Sequence, residues 1–316
     1  MKRIAYYLKN LKTFYLLLIS IAVMGLQSCN PDDKKEDVKD NAIEVVTNLM
    51  EFQIVDEIPS GWNTFRYVNK SKEPHFFLLD KYPAGKTIED GRKEVIPVFQ
   101  NGMDLINEGK PEEANAEFGK LPPWFADIVY TGGSGLISPG HTSVTTLNLE
   151  PGYYVMECYV KMETGVFHAA MGMTKAFTVI DSSSGNTEPT ATVNITIAGN
   201  EGIVYTDAIT KGETTFSVYF KDQAPHENFV GHDVNLVKLD ENHDLGELEK
   251  WMNWTDAKGL ITPPPQGVTF LGGVNEMPAG STGYFTVNLE PGNYAFISEV
   301  PNSLQKGMLK TFEVVD

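Results

Sequence analysis

The sequence predicts an all-β protein built of two tandem β-sandwiches, each interrupted by a short helical insertion. Three observations carry this. Period-two alternation of β-branched, aromatic and polar residues runs through AIEVVTNLMEFQIV and TFRYVNKSKEPHFFLL. A small, polar stretch free of apolar side chains, SSSGNTEP at 182–189, divides the chain. The part beyond this stretch repeats the part before it: NLEPGYYVMECYVKMETGVFHAAMGMTKAFTVID, Asn148 to Asp181, returns as NLEPGNYAFISEVPNSLQKGMLKTFEVVD, Asn288 to Asp316. IPSGWNTF from Ile58 likewise returns as ITKGETTF from Ile209, and Gly132-Gly133 as Gly272-Gly273. The unit is far longer than a solenoid repeat, so two domains are expected, 43–181 and 191–316, joined by a linker at 182–190.

Taken in order, residues 1–28 read as an address. Lys2, Arg3, Lys9 and Lys12 precede an apolar run from Phe14 to Gly25 that is too short to span a bilayer. Leu26-Gln27-Ser28-Cys29 resembles the lipobox of bacterial lipoproteins, which implies cleavage before Cys29, lipid on that residue, and anchorage to a membrane. The tract NPDDKKEDVKD completes a solvated acidic tether over 29–42. It also resembles the acidic export tracts of surface lipoproteins in some Gram-negative bacteria, which implies an outer-membrane protein of the cell envelope, displayed at the surface. Losing four basic residues takes the formal charge from −17 to about −21. Such a surface repels nucleic acid.

The strand pattern breaks between Thr87 and Phe118. Thr87 and Asp90 form a capping box, and Val95, Phe99, Met103 and Ile106 recur at helical spacing. Two short helices are expected, the first disturbed at Pro97 and ended by Gly109, the second opening at Pro111. Leu245, Leu248, Trp251 and Met252 mark the matching excursion in the second domain, with Asp244 and Glu247 at the positive end of a helix.

With Cys29 assigned to lipid, Cys158 is the one remaining thiol, and an internal disulfide is excluded. His75, Cys158, His168 and Met173 succeed one another in the order that a soft-metal site on a rigid β-sandwich needs. An Asn-containing turn precedes His75, and a Pro-Gly-aromatic strand leads to Cys158. Here the sequence resembles the cupredoxin superfamily. The resemblance implies Greek-key sandwiches and, in the first domain, one type 1 copper held by His75, Cys158 and His168 with Met173 as axial ligand. The nine residues between Cys158 and His168 exceed the spacing of small electron carriers.

The second domain has Ser298 and Ser303 where Cys158 and His168 stand in the first, so no metal is expected there. Gly307-Met308 keeps the pattern of Gly172-Met173, and the Pro-His pair at His226 matches that at His75, so packing accounts for Met173 and His75 as readily as ligation. His141, His232 and His243 read as surface residues.

Multicopper oxidases and copper nitrite reductases place a His beside the Cys; here the neighbours are Glu157 and Tyr159. Gly132-Gly133-Ser134-Gly135-Leu136 has the wrong phasing for a nucleophile elbow. No catalytic residues are assigned, and no enzyme is expected. Two readings stay open: a lipoprotein whose first domain binds copper for electron transfer, through Cys158 or an exposed edge of His168, or for copper handling; and a metal-free surface lipoprotein serving as a spacer or partner-binding module.

Overall fold

A computed structural model describes residues 41–226 and 229–315. The leader, Cys29 and the acidic tether lie outside the described residues, apart from the tether's last two positions. Residues 42–315 form one compact unit, and among the described residues no helix is long and apolar enough to cross a membrane.

The first half contributes strands β1 (Ile43–Thr47), β2 (Phe52–Gln53), β3 (Glu57–Asn69), β4 (His75–Lys81), β5 (Val129–Ile137), β6 (Thr142–Leu149), β7 (Gly152–Glu157) and β8 (Thr174–Ser183). The second contributes β9 (Val193–Ala198), β10 (Gly202–Val204), β11 (Gly212–Phe220), β12 (Val234–Leu239), β13 (Val268–Val274), β14 (Thr282–Leu289), β15 (Gly292–Ile297) and β16 (Leu309–Val314). Strands β2, β1, β3 and β6 make one layer of the first half, and β5, β4, β7 and β8 the other. The second half repeats both layers with β10, β9, β11, β14 and with β13, β12, β15, β16. Even the unusual parallel pairing recurs, β1 beside β3 and β9 beside β11. Two Greek-key β-sandwiches, each with a helical insertion, are therefore what the topology shows.

Alternation explains the core. Along β3, Asn63, Phe65, Tyr67 and Asn69 point inward and are buried, and Phe65 and Tyr67 pack their rings on Phe77 of β4. Each half closes one corner the same way: the Tyr154 hydroxyl donates to the Glu150 carbonyl and that of Tyr294 to the Glu290 carbonyl, both at 2.8 Å. Lys81 pairs with Glu150 as Lys238 does with Glu290.

The two sandwiches are fused along both layers. Over this part of the chain the halves align with an offset of 140 residues, Gly132 on Gly272 and Leu149 on Leu289. β6 pairs with β14 so that Thr145 faces Phe285, its own counterpart, flanked by Thr146 with Tyr284 and Val144 with Thr286. β5 meets β13 with Ser134 opposite its counterpart Val274. Both junctions are thus self-complementary, as in a two-fold dimer written into one chain.

Glycine permits this approach: a Cβ on Gly135 would lie 2.8 Å from the Gly272 carbonyl oxygen, and one on Gly272 would lie 2.6 Å from the Ser143 Cβ. Within each half, a Cβ on Gly133 would lie 1.9 Å from the Phe77 carbonyl oxygen, and one on Gly273 2.0 Å from that of Val234. The Gly-Gly pairs are close-contact points within strands.

The first helical insertion is three helices: α1 (Ile88–Glu94), α2 (Ile96–Asn107) and α3 (Pro111–Phe118). Pro97 sits in the first turn of α2, where its missing N–H costs nothing, so the chain restarts there instead of kinking. The Asp90 carboxylate accepts from the Thr87 N–H and hydroxyl at the start of α1. In the second half, Asp244 caps α4 (Leu245–Met252) by accepting from the N–H groups of Gly246 and Glu247.

Gly133→Ala should lower stability by at least about 3 kcal/mol, since the backbone itself must move. Gly140→Ala, at positive φ but with open space around it, should cost about 1–2 kcal/mol from backbone conformation alone. Urea unfolding midpoints of the two variants measure the difference.

Candidate metal centre

His75 opens β4, opposite Ile137 of β5. The turn before it is stapled by Asn69, whose amide donates to the carbonyls of Glu73 and Ile137 at 2.8 and 3.1 Å and whose side-chain oxygen accepts from the N–H and hydroxyl of Ser71. Cys158 is the residue immediately after β7. His168 starts a short 3₁₀ turn (Ala169–Met171); its N–H donates to the Val160 carbonyl, and its own carbonyl accepts from the Met173 N–H at 3.0 Å. Three separate segments thus converge on one point in the core.

His75, Cys158 and His168 meet. The Cys158 Sγ lies 3.7 Å from Nδ1 of each histidine, and the two Nδ1 atoms are 3.1 Å apart. A point equidistant from all three lies about 2.0 Å from each, close to ordinary metal–nitrogen and metal–sulfur bond lengths. All three side chains are 0% exposed. Nε2 of both histidines is buried without a hydrogen-bond partner among the described residues.

Burial holds His75 down to about 3, with the neighbouring His168 adding to the effect, and burial holds His168 down to about 4. Both imidazoles are neutral at physiological pH, each with one ring nitrogen free of a proton. Burial pushes the Cys158 thiol up to about 12, so it keeps its proton unless a cation displaces it. Met173 is fully buried in the same core. The second half repeats its loop-closing hydrogen bond, from the Met308 N–H to the Ser303 carbonyl.

The long Cys158–His168 loop docks on other elements. Lys161 exchanges backbone hydrogen bonds with Leu260 and Thr262, both at 2.9 Å, and its ammonium donates to the Asp256 and Ala257 carbonyls. The Tyr159 hydroxyl donates to Glu299. On the other flank, Gln100 of α2 donates to the Gly165 carbonyl and accepts from the Phe167 N–H, while Phe167 packs with Met103, Ala114 and Phe118 of the insertion. This cover leaves His168 without the exposed edge expected from sequence. Glu163 and Thr164 at the loop's tip are exposed, and so is the turn from Ala170 to Gly172 just beyond His168, where Met171 is 50% exposed.

The second half shows how the site is replaced. Phe77 pairs with Ser134 as Val234 pairs with Val274, and Leu78 with Gly133 as Asn235 with Gly273. The counterpart of His75 is therefore His232, not His226, and His232 is buried, not a surface residue. The sequence match misleads because extra residues precede β12. Ser298, in place of Cys158, donates to Asp233, and Ser303 bonds Glu249. A polar network fills the position where the first half gathers metal-ligand types. Among the described residues, His75, Cys158 and His168 form the one group of three or more metal-ligating side chains close enough to share an ion.

No family model and no curated protein matches the chain. Solved structures do. Auracyanin B is 25% identical with a TM-score of 0.29, covering 42% of this chain and 93% of that one. Auracyanin A, described as a "blue" copper protein from Chloroflexus aurantiacus, is 19% identical at a TM-score of 0.26, covering 44% of this chain and 98% of that one. A copper nitrite reductase from Nitrosomonas europaea is 12% identical at a TM-score of 0.22, covering 87% of this chain and 94% of that one. The chain's own strand order is that of two fused Greek-key β-sandwiches.

Metal uptake should release the Cys158 proton and none from the histidines. Apparent affinity should then rise about tenfold per pH unit between about pH 5 and 8. A zinc competition titration against a chromophoric chelator reads this slope; a flat profile means that the thiol is not a ligand.

Proposed function

We propose that the first half binds one copper ion through His75, Cys158 and His168, and that the protein works as an electron carrier or copper-handling protein of the cell envelope. The observation that carries the reading is the convergence of two neutral imidazoles and one thiol, at 3.1 to 3.7 Å, inside a rigid β-sandwich. Such a soft His₂Cys set suits copper and, when loaded, supplies reversible one-electron chemistry. Met173, whose backbone is held beside His168 by the loop's closing hydrogen bond and whose side chain is buried in the same core, would supply a thioether to the same ion.

The protein's own contribution is to hold these donors still. Asn69 fixes the approach to His75, and the hydrogen bonds of Lys161 and Gln100 clamp the Cys–His loop from two sides. Burial excludes water. A redox partner would approach the exposed Ala170–Gly172 turn, which leads directly from His168. No catalytic activity is included in this reading, because Glu157 and Tyr159, not His, flank Cys158. The lipobox-like Leu26–Cys29 supports anchorage of the chain to the outer membrane by lipid on Cys29.

Adding Cu(II) to the purified protein should give an intense visible band that Cys158→Ser abolishes while the circular dichroism of the sandwich persists. An unchanged band in the variant, or no copper retained by the parent protein, overturns the reading and leaves a metal-free surface lipoprotein that binds a partner or acts as a spacer.

A further inference from the structure

Beside the candidate metal centre lies a separate cavity of about 90 Å³, lined from both halves of the chain. It has room for several water-sized groups. Phe99 of α2, Phe125, Tyr159 of the Cys–His loop and Trp254 of the second half wall it with aromatic rings. Its polar groups include three carboxyls: Asp80 from β4, Glu157 from the end of β7 and Glu276 from the β13–β14 connection. Among the described residues no Lys or Arg lines it.

Asp80 is 3% exposed, and its Oδ1 meets no hydrogen-bond partner among the described residues. Glu276 is 8% exposed and uses Oε2 to accept from the Gly231 N–H. A buried carboxyl oxygen without a partner is costly, and neither the fold nor the metal centre uses this one. Burial, and then the charges of Glu157 and Glu276, hold Asp80 well above the usual carboxylate range; burial, and then Asp233, push Glu276 up to about 8. A positive charge would relieve both. The three carboxyls do not converge closely enough to share a metal ion, and the aromatic walls favour a larger, softer cation with an apolar body.

We propose that this cavity is a binding site for a small organic ammonium compound, its charged head at Asp80 and Glu276 and its apolar part against Phe99, Phe125 and Trp254. The head donates hydrogen bonds to both carboxyls, and the rings face the alkyl or aryl body. Because Asp80 comes from the first half and Glu276 and Trp254 from the second, the site exists only where the two sandwiches are fused. It does not depend on whether the metal centre is filled.

The test is isothermal titration calorimetry of the metal-free, purified protein with n-butylammonium, n-butanol and butyrate at one ionic strength. Saturable binding of n-butylammonium at least about tenfold tighter than n-butanol is expected, with no binding of butyrate, since a charge-assisted hydrogen bond is worth that much or more. Glu276→Gln and Asp80→Asn, which keep shape and remove charge, should each weaken n-butylammonium about tenfold and leave n-butanol unchanged. Equal binding of the amine and the alcohol, binding of butyrate, absence of saturable amine binding, or full amine affinity in both folded variants overturns the proposal. Should neither variant fold, the ranking of the three ligands on the parent protein decides it.

Discussion

The structure depends on one constraint: the backbone-to-backbone approach at the junction of the two sandwiches. Gly135 and Gly272 allow it, since a Cβ added to the first would lie 2.8 Å from the Gly272 carbonyl and one added to the second 2.6 Å from the Ser143 Cβ of the other half, closer than any side chain tolerates. That approach lets β5 meet β13 and β6 meet β14, and the four-stranded layers of the two halves become two continuous eight-stranded layers. Backbone groups that would end unpaired at four sheet edges are satisfied within the chain. The cavity that holds Asp80 and Glu276 and the surface on which the Cys–His loop rests both arise from this fusion.

The two halves divide the work. The first keeps Nδ1 of His75, Nδ1 of His168 and Sγ of Cys158 close enough for one ion to share all three. The second replaces thiol and imidazole with Ser298 and Ser303, each satisfied by a carboxylate. The second half also supplies support to the first: Leu260 and Thr262 clamp the backbone of Lys161, and Glu299 receives the Tyr159 hydroxyl. The nine-residue spacing between Cys158 and His168 is the length needed to reach that support.

Much of this is legible in the residues. Alternation marks the strands, and the internal repeat exposes the Cys and loop His by their loss from the second copy. Asn69 before His75 and the Pro-Gly-aromatic run before Cys158 mark the positions the structure brings together. Three features escape for physical reasons. The reason for Gly-Gly inside a β pattern is hidden, because close approach to another strand leaves no local trace. His226 rather than His232 aligns with His75, because the chain lengthens ahead of β12 and shifts the register. The cover over His168 comes from Gln100 and Phe118, far along the sequence, whose contacts no periodicity reveals. Asp80 does leave a signal, an acid inside the apolar run HFFLLDK, but its partnerless oxygen is visible only in three dimensions.

The self-pairing of Thr145 with Phe285 and of Ser134 with Val274 has a consequence for how such a protein grows. A head-to-tail junction would leave a fresh edge at each end, and further duplication could lengthen the array. Here each copy spends the same edge on the other, so the pair is closed and a third sandwich would find no equivalent place. Duplication in this architecture stops at two, and later change must take the form of divergence between the copies.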